Sequence, residues 1–239
     1  MHLFYTPDIE TSFELPDEEA AHCLRVLRLG LGDEVSLTDG KGRFFKAVIS
    51  SANGKKCFVR IVETHEQEPL WQGYIRLAVA PTKNMDRMEW LAEKATEIGI
   101  DEIDFIECRY SERRVLKTER IEKIVVSAMK QSLKARKPVV TGMTPFSKFV
   151  AQPFTGKKFI AHCHEGEKPL LREELGVGED ALVMIGPEGD FSEEEISMAL
   201  AHGFEEISLG KSRLRTETAA LVAVHLMNIA NDKRGGVQA

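Results

Sequence analysis

From residue 75 to residue 230, short apolar runs alternate with longer amphipathic stretches, and this alternation constrains the fold most strongly. Runs such as Ile75–Ala80 and Ala181–Ile185 have the length and composition of buried strands. The stretches between them repeat apolar residues every three or four positions, which is typical of helices. Strands that alternate with helices are joined by crossovers and lie parallel in one sheet. The sequence therefore predicts an α/β domain with a mainly parallel sheet over residues 74–239.

The same pattern predicts the bounds of the elements. Strands are expected at Ile75–Ala80, Glu102–Ile106, Lys158–Cys163, Ala181–Ile185 and Ile207–Leu209. Helices are expected after an N-cap at Asp86, over Arg120–Arg136, after the capping box Ser192–Glu195, and over Thr216–Ala230 with Thr216 as its N-cap. The last helix is apolar almost all round, so it must be buried on several sides, and a dimer interface would cover its surplus apolar surface.

Residues 1–70 have a different pattern, which predicts a small β-barrel domain. Polar and apolar residues alternate in Glu34–Asp39, and turn signals follow at Asp39–Gly42 and Asn53-Gly54. A short helix is expected over Asp17–Arg28. The polar segment Glu66–Gly73 contains proline and glycine, and it is interpreted as the boundary between the two domains.

Composition narrows the class of protein. No apolar stretch approaches the length of about 20 residues that spans a bilayer, and the first residues lack the basic and apolar regions of a signal peptide. The four cysteines form no CxxC pair. These features favour reduced thiols and a cytoplasmic protein without a membrane or metal partner.

Charge is distributed unevenly along the chain. The formal net charge is -6, yet the segment from Arg109 to Lys137 holds ten basic and three acidic residues. Such segregation indicates a polyanionic partner, although a solvated helix face would give the same pattern. His22, Arg25 and Arg28 recur at three-residue spacing on one predicted helical face and are candidates for phosphate contacts.

Two motifs suggest chemistry that their context excludes or weakens. Gly210-Lys211-Ser212 resembles part of a P-loop, but Glu205 stands where the first glycine of that loop is required. His162-Cys163-His164 resembles a metal site, but alternation along a strand turns Cys163 away from the two histidines, and no second ligand group is evident. No metal site is therefore expected.

Two loops remain as candidates for ligand binding. Gly186–Phe191 follows a buried strand and precedes a capped helix, so it is either a tight connection or a loop whose backbone contacts a planar ligand. The second loop, Gly210–Arg215, lies between the predicted strand Ile207–Leu209 and a helix N-terminus. Arg213 and Arg215 are unfavourable beside a helix N-terminus unless they face an anion.

Together, several segments resemble the ribosomal RNA small-subunit methyltransferase E family. The segments that carry the resemblance are His22–Leu29, Lys94–Gly99, Gln131-Ser132, Ile185–Phe191 and Leu209–Ala219. The resemblance covers nearly the whole chain. It implies a PUA-like β-barrel followed by a SPOUT-type α/β trefoil-knot domain, a homodimer, and S-adenosylmethionine-dependent methylation of uridine N3 in 16S rRNA. The chain departs from the family pattern at Asp190, Leu133 and Lys134, where glycine, glycine and arginine are usual.

The resemblance also implies roles for individual residues. The cofactor loops would contain His162, Cys163, His164, Glu165, Ile185, Gly186, Pro187, Glu188, Gly189, Leu209, Gly210, Ser212, Leu214, Arg215 and Thr216. Contacts to rRNA would come from His22, Arg25, Arg28, Arg113, Gln131, Lys134 and Arg136. Arg215 is the leading candidate to stabilise the uracil anion, and Glu217 is a weaker candidate for the base. A relative that acts on another RNA base, or a non-catalytic RNA-binding protein, would share much of this pattern.

Overall fold

The computed structural model describes residues 2–231, which divide into two compact units. Within this range, the first unit comprises residues 2–69 and 126–137, and the second comprises residues 70–125 and 138–231. The first unit is therefore not continuous in sequence, since its second segment is inserted in the chain of the second unit. The predicted domains, 1–70 and 74–239, instead assign residues 126–137 to the second domain.

The elements have the following bounds. Strands are β1 (Leu3–Tyr5), β2 (Glu34–Thr38), β3 (Arg43–Asn53), β4 (Lys56–Glu66), β5 (Ile75–Val79), β6 (Glu102–Glu107), β7 (Val139–Pro145), β8 (Lys157–Ala161), β9 (Ala181–Ile185) and β10 (Glu205–Ile207). Helices are α1 (Ile9–Ser12), α2 (Asp17–Ala21), α3 (Met85–Ile98), α4 (Thr118–Gln131), α5 (Phe146–Val150), α6 (Leu171–Glu174), α7 (Glu193–Ala201) and α8 (Thr216–Asn231). None of the helices within residues 2–231 has the length and hydropathy needed to cross a membrane.

The first unit is built on a sheet with the order β1-β2-β3-β4. Strand β1 pairs with β2 in parallel, and the other pairs are antiparallel. Both predicted turns are found, at residues 39–42 and 54–55. The core includes Phe4, Leu37, Phe45 and Val59, because alternate positions of each strand face the same side.

The second segment of the first unit pairs with the turn between β2 and β3. The amide of Gly42 donates to the carbonyl of Ala135 at 2.9 Å, and the amide of Lys137 donates to Gly40 at 2.9 Å. The side chain of Gln67 donates to the carbonyl of Leu133 at 3.1 Å and accepts from the amide of Ala135 at 2.7 Å. Residues 133–137 thus supply hydrogen-bond partners to the backbone of this turn and to the side chain of Gln67.

The second unit is a parallel sheet with helices on both faces, as the alternating pattern predicts. Its strand order is β10-β8-β9-β5-β6-β7, with every pair parallel. One face of the sheet packs on α3, the first half of α4 and α8, and the other packs on α5 and α7. Strand β9, buried at every position, lies near the centre of the sheet.

Several predicted bounds are wrong for local reasons. The N-cap of α3 is Asn84, whose side chain accepts from the amide of Asp86, rather than Asp86 itself. Helix α4 ends at Gln131, before the left-handed Leu133 with φ 53°, and does not reach Arg136. Strand β10 ends at Ile207 instead of Leu209. The predicted helix over Asp17–Arg28 turns into a π-helical segment, His22–Val26, after α2.

Candidate active site

A cavity of about 1410 Å³ opens at the carboxyl ends of β8, β9 and β10. The last residues of these strands, Ala161, Ile185 and Ile207, all line it, together with the loops that follow them. In open α/β sheets, ligands bind outside the carboxyl ends of strands. The cavity therefore lies where the two candidate loops and the histidine segment converge.

The loop after β9 approaches its surroundings closely. A Cβ at Gly186 would lie 3.1 Å from the ring of the buried Phe191, so a side chain there would displace that ring. Asp190 has a left-handed backbone with φ 65°, which is uncommon outside glycine. Its carboxylate accepts hydrogen bonds from the amides of Cys163 and Phe191, both at 2.8 Å. Asp190 thus ties the loop after β9 to the loop after β8.

The loop after β8 is fixed by two histidines. The Nε2 atom of His162 lies 2.8 Å from the carboxylate of Glu206 on β10, and that of His164 lies 2.8 Å from the carbonyl of Phe191. Both partners are acceptors, so each ring carries its proton on Nε2. The side chain of His162 is 1% exposed, and burial together with the nearby Lys168 lowers its pKa. The ring of His162 contacts that of His164 edge to face.

The loop after β10 is largely exposed as far as the start of α8. Lys211, Ser212 and Arg213 are exposed and line the cavity. Helix α8 begins at Thr216, whose hydroxyl donates to the carbonyl of Gly186 at 3.2 Å. Thr216 is therefore the first helical residue and holds the loop after β9, so its prediction as an N-cap is wrong.

Glu217 contacts the cavity from the first turn of α8. It is 8% exposed, and its Oε1 lies 3.4 Å from the guanidinium of Arg87 on α3, which also lines the cavity. Its Oε2 is buried and has no hydrogen-bond partner within the described residues. The Glu217 carboxylate therefore forms an ion pair with Arg87, which is distant in the sequence and which no sequence motif links to Glu217.

Most of the residues predicted to bind the cofactor line this cavity. They are His162, Cys163, His164, Ile185, Gly186, Pro187, Glu188, Leu209, Gly210, Ser212, Leu214, Arg215 and Thr216. Glu165 and Gly189 were also predicted, but neither lines it. Arg87 and Lys168 line the cavity and were not predicted. Arg87 comes from α3, which is distant in the sequence from the predicted loops, whereas Lys168 lies just beyond the predicted segment His162–Glu165. The described residues contain no cluster of three or more metal-ligating side chains.

The residues predicted to contact RNA fall in both units and differ in exposure. His22 and Arg25 in the first unit are exposed. Arg28 is exposed too, but it lies beyond the helix with φ 58°, so the three do not share one helical face. In the second unit, Arg113 donates to the carbonyls of Thr82 and Lys83.

The remaining predicted RNA contacts lie in the segment 126–137 of the first unit. Gln131 and Arg136 are exposed there, whereas Lys134 is only 7% exposed. Burial of Lys134 leaves little of its side chain for a phosphate, so its predicted role is weaker than that of Gln131 or Arg136.

Comparison with known proteins finds a family match for each of the two parts of the chain. Residues 69–228 match the model of a family described as an RNA methyltransferase domain, and residues 15–62 match an RNA methyltransferase PUA domain. Ribosomal RNA small subunit methyltransferase E of Synechocystis is 30% identical over 230 residues, which cover 92% of this chain and 74% of that protein. The chain belongs to the ribosomal RNA small-subunit methyltransferase E family. This confirms the resemblance seen in the sequence.

Solved structures of related proteins share the fold over nearly the whole of this chain. A structure described as a probable rRNA-methyltransferase from Porphyromonas gingivalis is 48% identical, with a TM-score of 0.92 and coverage of 97% of this chain and 98% of that one. Ribosomal RNA small subunit methyltransferase E from Neisseria gonorrhoeae, solved bound to S-adenosyl methionine, is 29% identical, with a TM-score of 0.83 and coverage of 96% and 97%. The predicted fold class, a SPOUT-type α/β domain after a PUA-like domain, is confirmed.

Proposed function

We propose that the cavity binds S-adenosylmethionine and that this chain methylates N3 of a uridine in 16S rRNA. Family membership supports RNA methylation, and the observation that carries the proposal is the convergence of three strand-end loops on one cavity. The choice of N3 comes from the family resemblance. A relative that methylates another base would have the same kind of cavity.

The residues around the cavity fit the chemical groups of this cofactor. Glycine-containing loops expose backbone donors and acceptors, which suit the adenine edge. Lys168 and Arg213 can face a carboxylate, whereas Glu188 and Asp190 can face an ammonium or a sulfonium. The volume exceeds the 300–1,000 Å³ of common small-molecule sites, which leaves room for part of a nucleotide.

The reaction requires an unpaired uracil whose N3 has lost its proton. The base must leave any duplex before its N3 atom is accessible. S-adenosylmethionine, when bound, supplies a methyl group on a positively charged sulfur. As N3 loses its proton, negative charge develops on O2 and O4, and a guanidinium placed beside these atoms stabilises it. Arg215, exposed at the cavity, is the proposed donor.

Glu217 remains a candidate for the base that accepts the N3 proton. Its ion pair with Arg87 favours a different role, in which the carboxylate orients Arg87 at the cavity. Holding the methyl group, the sulfur and N3 in line supplies much of the remaining rate enhancement. This alignment depends on the loops that Asp190, His164 and Thr216 fix.

Replacing Arg215 with alanine tests its proposed role. We expect kcat for methylation of small ribosomal subunits to fall by about 100-fold, as for the loss of one donor to a developing oxyanion. The dissociation constant for S-adenosylmethionine, measured by calorimetry, should change much less. Unchanged methyl transfer by a folded variant would exclude the role. Arg172→Ala, which removes an exposed arginine on α6 that does not line the cavity, serves as the matched control.

The RNA partner and the assembly state are part of the proposal. The PUA-like unit, with exposed His22 and Arg25, would hold rRNA phosphates, and the cytoplasm is where this substrate is found. Helix α8 carries Val222 and Leu226 half-buried and Ile229 exposed, an apolar face that a second copy of the chain would cover in a homodimer.

Mapping the methylated nucleotide decides between the proposed reaction and its alternatives. Small-subunit rRNA from a strain lacking this gene should lose one N3-methyluridine, detectable by mass spectrometry, and the purified protein should restore it. Loss of a different methylated base would show a relative with another target. Binding of RNA without binding of S-adenosylmethionine in calorimetry would show a non-catalytic RNA-binding protein.

A further inference from the structure

Tyr110 is an aromatic side chain held at the surface, outside any role described above. It lies in the turn that follows β6, and 49% of it is exposed. Large aromatic side chains gain more free energy when buried than almost any other residue type. A half-exposed tyrosine on a well-anchored turn therefore suggests a ligand that covers it.

The turn that carries Tyr110 is fixed on both sides. The amide of Cys108 donates to the Ser111 hydroxyl at 3.0 Å, and the Ser111 amide donates back to the Cys108 carbonyl at 3.1 Å. These two hydrogen bonds restrict the backbone of the turn. The amide of Arg109 donates to the buried carboxylate of Glu195 at 2.8 Å. The backbone that carries Tyr110 is thus held by hydrogen bonds of Arg109 and of the buried Cys108 and Ser111, which lowers the entropy lost when a ligand binds.

Tyr110 does not line the cavity itself, but it packs against the loop after β9, next to residues that do. A Cβ at Gly189 would lie 3.0 Å from the Cβ of Tyr110, so the absence of a side chain at position 189 lets the turn approach the loop after β9. Glu188 and Asp190, on either side of that glycine, both line the cavity. Gly189 itself does not, so its role is explained by Tyr110 rather than by the cofactor.

The ring of Tyr110 offers a flat π-face, and the two arginines near it are paired with carboxylates. The guanidinium of Arg109 lies 5.7 Å from the ring centre and 3.0 Å from the carboxylate of Glu194, and Arg114 pairs with Glu107 at 3.5 Å. Unpaired bases stack on aromatic side chains through the π-face that every base has, so stacking does not need free cations beside the ring. Stacking tolerates any base, so it would position the base and leave its identity to hydrogen bonds in the cavity.

We propose that Tyr110 is a stacking platform for the extruded target base or its immediate neighbour, at the entrance to the cavity. The inference rests on the proposed function and adds to it a residue that contacts the RNA substrate. Because the platform acts through the face of the ring, the phenol hydroxyl is dispensable and the aromatic ring is not.

Kinetics of two Tyr110 variants test the platform. With small subunits assembled from unmodified rRNA, Tyr110→Ala should raise KM for the subunit or lower kcat/KM by about tenfold, the effect of losing one stacked base. Tyr110→Phe should stay near wild type, and both variants should bind S-adenosylmethionine with unchanged affinity. Leu200→Ala removes a similarly exposed apolar side chain on α7 and should have no effect.

Photocrosslinking supplies a readout that a structural role would not produce. Small-subunit rRNA transcribed with 5-iodouridine loses iodine under ultraviolet light, and a bond forms between C5 and a stacked aromatic ring with release of hydrogen iodide. Mass spectrometry should find this adduct on Tyr110 in the wild-type protein. In Tyr110→Phe the adduct should move to the phenylalanine ring.

The outcomes separate the platform from the proposed function. Wild-type kinetics for Tyr110→Ala, or equal losses for Tyr110→Ala and Tyr110→Phe, would overturn the platform while wild-type methylation stands. A wild-type protein that neither binds S-adenosylmethionine nor methylates rRNA would instead overturn the proposed function.

Discussion

At the scale of single residues, the cavity depends on side chains that join its loops to one another. Asp190 and His164 each bond a backbone group of a neighbouring loop, and Thr216 bonds the carbonyl of Gly186. Asp190 does so from a left-handed conformation that costs a non-glycine residue about 1 kcal/mol or more. Because Asp190 retains this strained conformation, we infer that the hydrogen bonds to its carboxylate matter for the shape of the cavity.

Asp190 is predicted to contribute more through its hydrogen bonds than it costs through strain. Asp190→Gly removes the strain but also the bond to Cys163, so we expect affinity for S-adenosylmethionine to fall by about 5- to 30-fold, equivalent to about 1–2 kcal/mol. Asp190→Asn tolerates the left-handed backbone and keeps an acceptor, so it should retain most of the affinity. Calorimetry measures both. Tighter binding by Asp190→Gly would show that strain dominates.

The pair formed by Arg87 and Glu217 can be tested through stability. Arg87→Met leaves a mostly buried carboxylate without its partner and should lower the free energy of unfolding by about 1–3 kcal/mol. The double variant with Glu217→Gln should recover part of this loss, since no uncompensated charge remains. Urea unfolding of both single variants and the double variant gives the coupling energy. Additive effects would show that the two side chains do not interact.

At the scale of elements, the sequence predicts the strands and helices that have a clear local pattern. It misses the features that depend on contacts with distant segments. Strand β9 is predicted residue for residue because it is continuously apolar, and the Ser192–Glu195 capping box is present at the start of α7. Strand β7 is missed because it carries Gly142 and Pro145 and forms an edge of the sheet. The pairs His162–Glu206 and Arg87–Glu217 are missed because each joins distant segments, which no spacing rule connects.

Helix α8 carries the prediction that belongs to this scale. Ile229 is 54% exposed on a helix that is otherwise largely apolar. If a second copy covers this face, Ile229→Lys places a charge in the interface and should weaken the dimer by at least about tenfold. Leu200→Lys, on α7, is the matched surface control. Sedimentation velocity measures both, and an unaltered dimer in Ile229→Lys would place the interface elsewhere.

At the scale of the whole molecule, the basic segment is less basic in the folded chain than in the sequence. Its residues divide between the two units, and several have acidic partners that lie outside the segment. Arg109 pairs with Glu194, Arg114 with Glu107, and Lys130 with Glu19. A count of neighbouring charges along the sequence cannot include such partners, so it overstates the field that an RNA would meet.

The salt dependence of RNA binding should reflect this partial neutralisation. The logarithm of the affinity for small-subunit rRNA should fall linearly with the logarithm of salt concentration. Arg25→Ala and Arg28→Ala should each reduce the slope by about 0.7–0.9 if the side chain contacts one phosphate. Arg120→Ala, whose guanidinium pairs with Glu89 at 2.5 Å, should change the slope less. Filter binding over a salt series measures this, and a flat dependence would contradict electrostatic binding.

The segment 126–137 has a consequence for how the chain folds during synthesis. The ribosome completes residues 1–69 early, yet the backbone groups of Gly40 and Gly42 find their partners only in residues 135 and 137. The N-terminal unit therefore lacks these partners until residue 137 has been translated. We expect an expressed fragment that stops near residue 69 to be aggregation-prone, and one supplied with residues 126–137 through a short linker to fold.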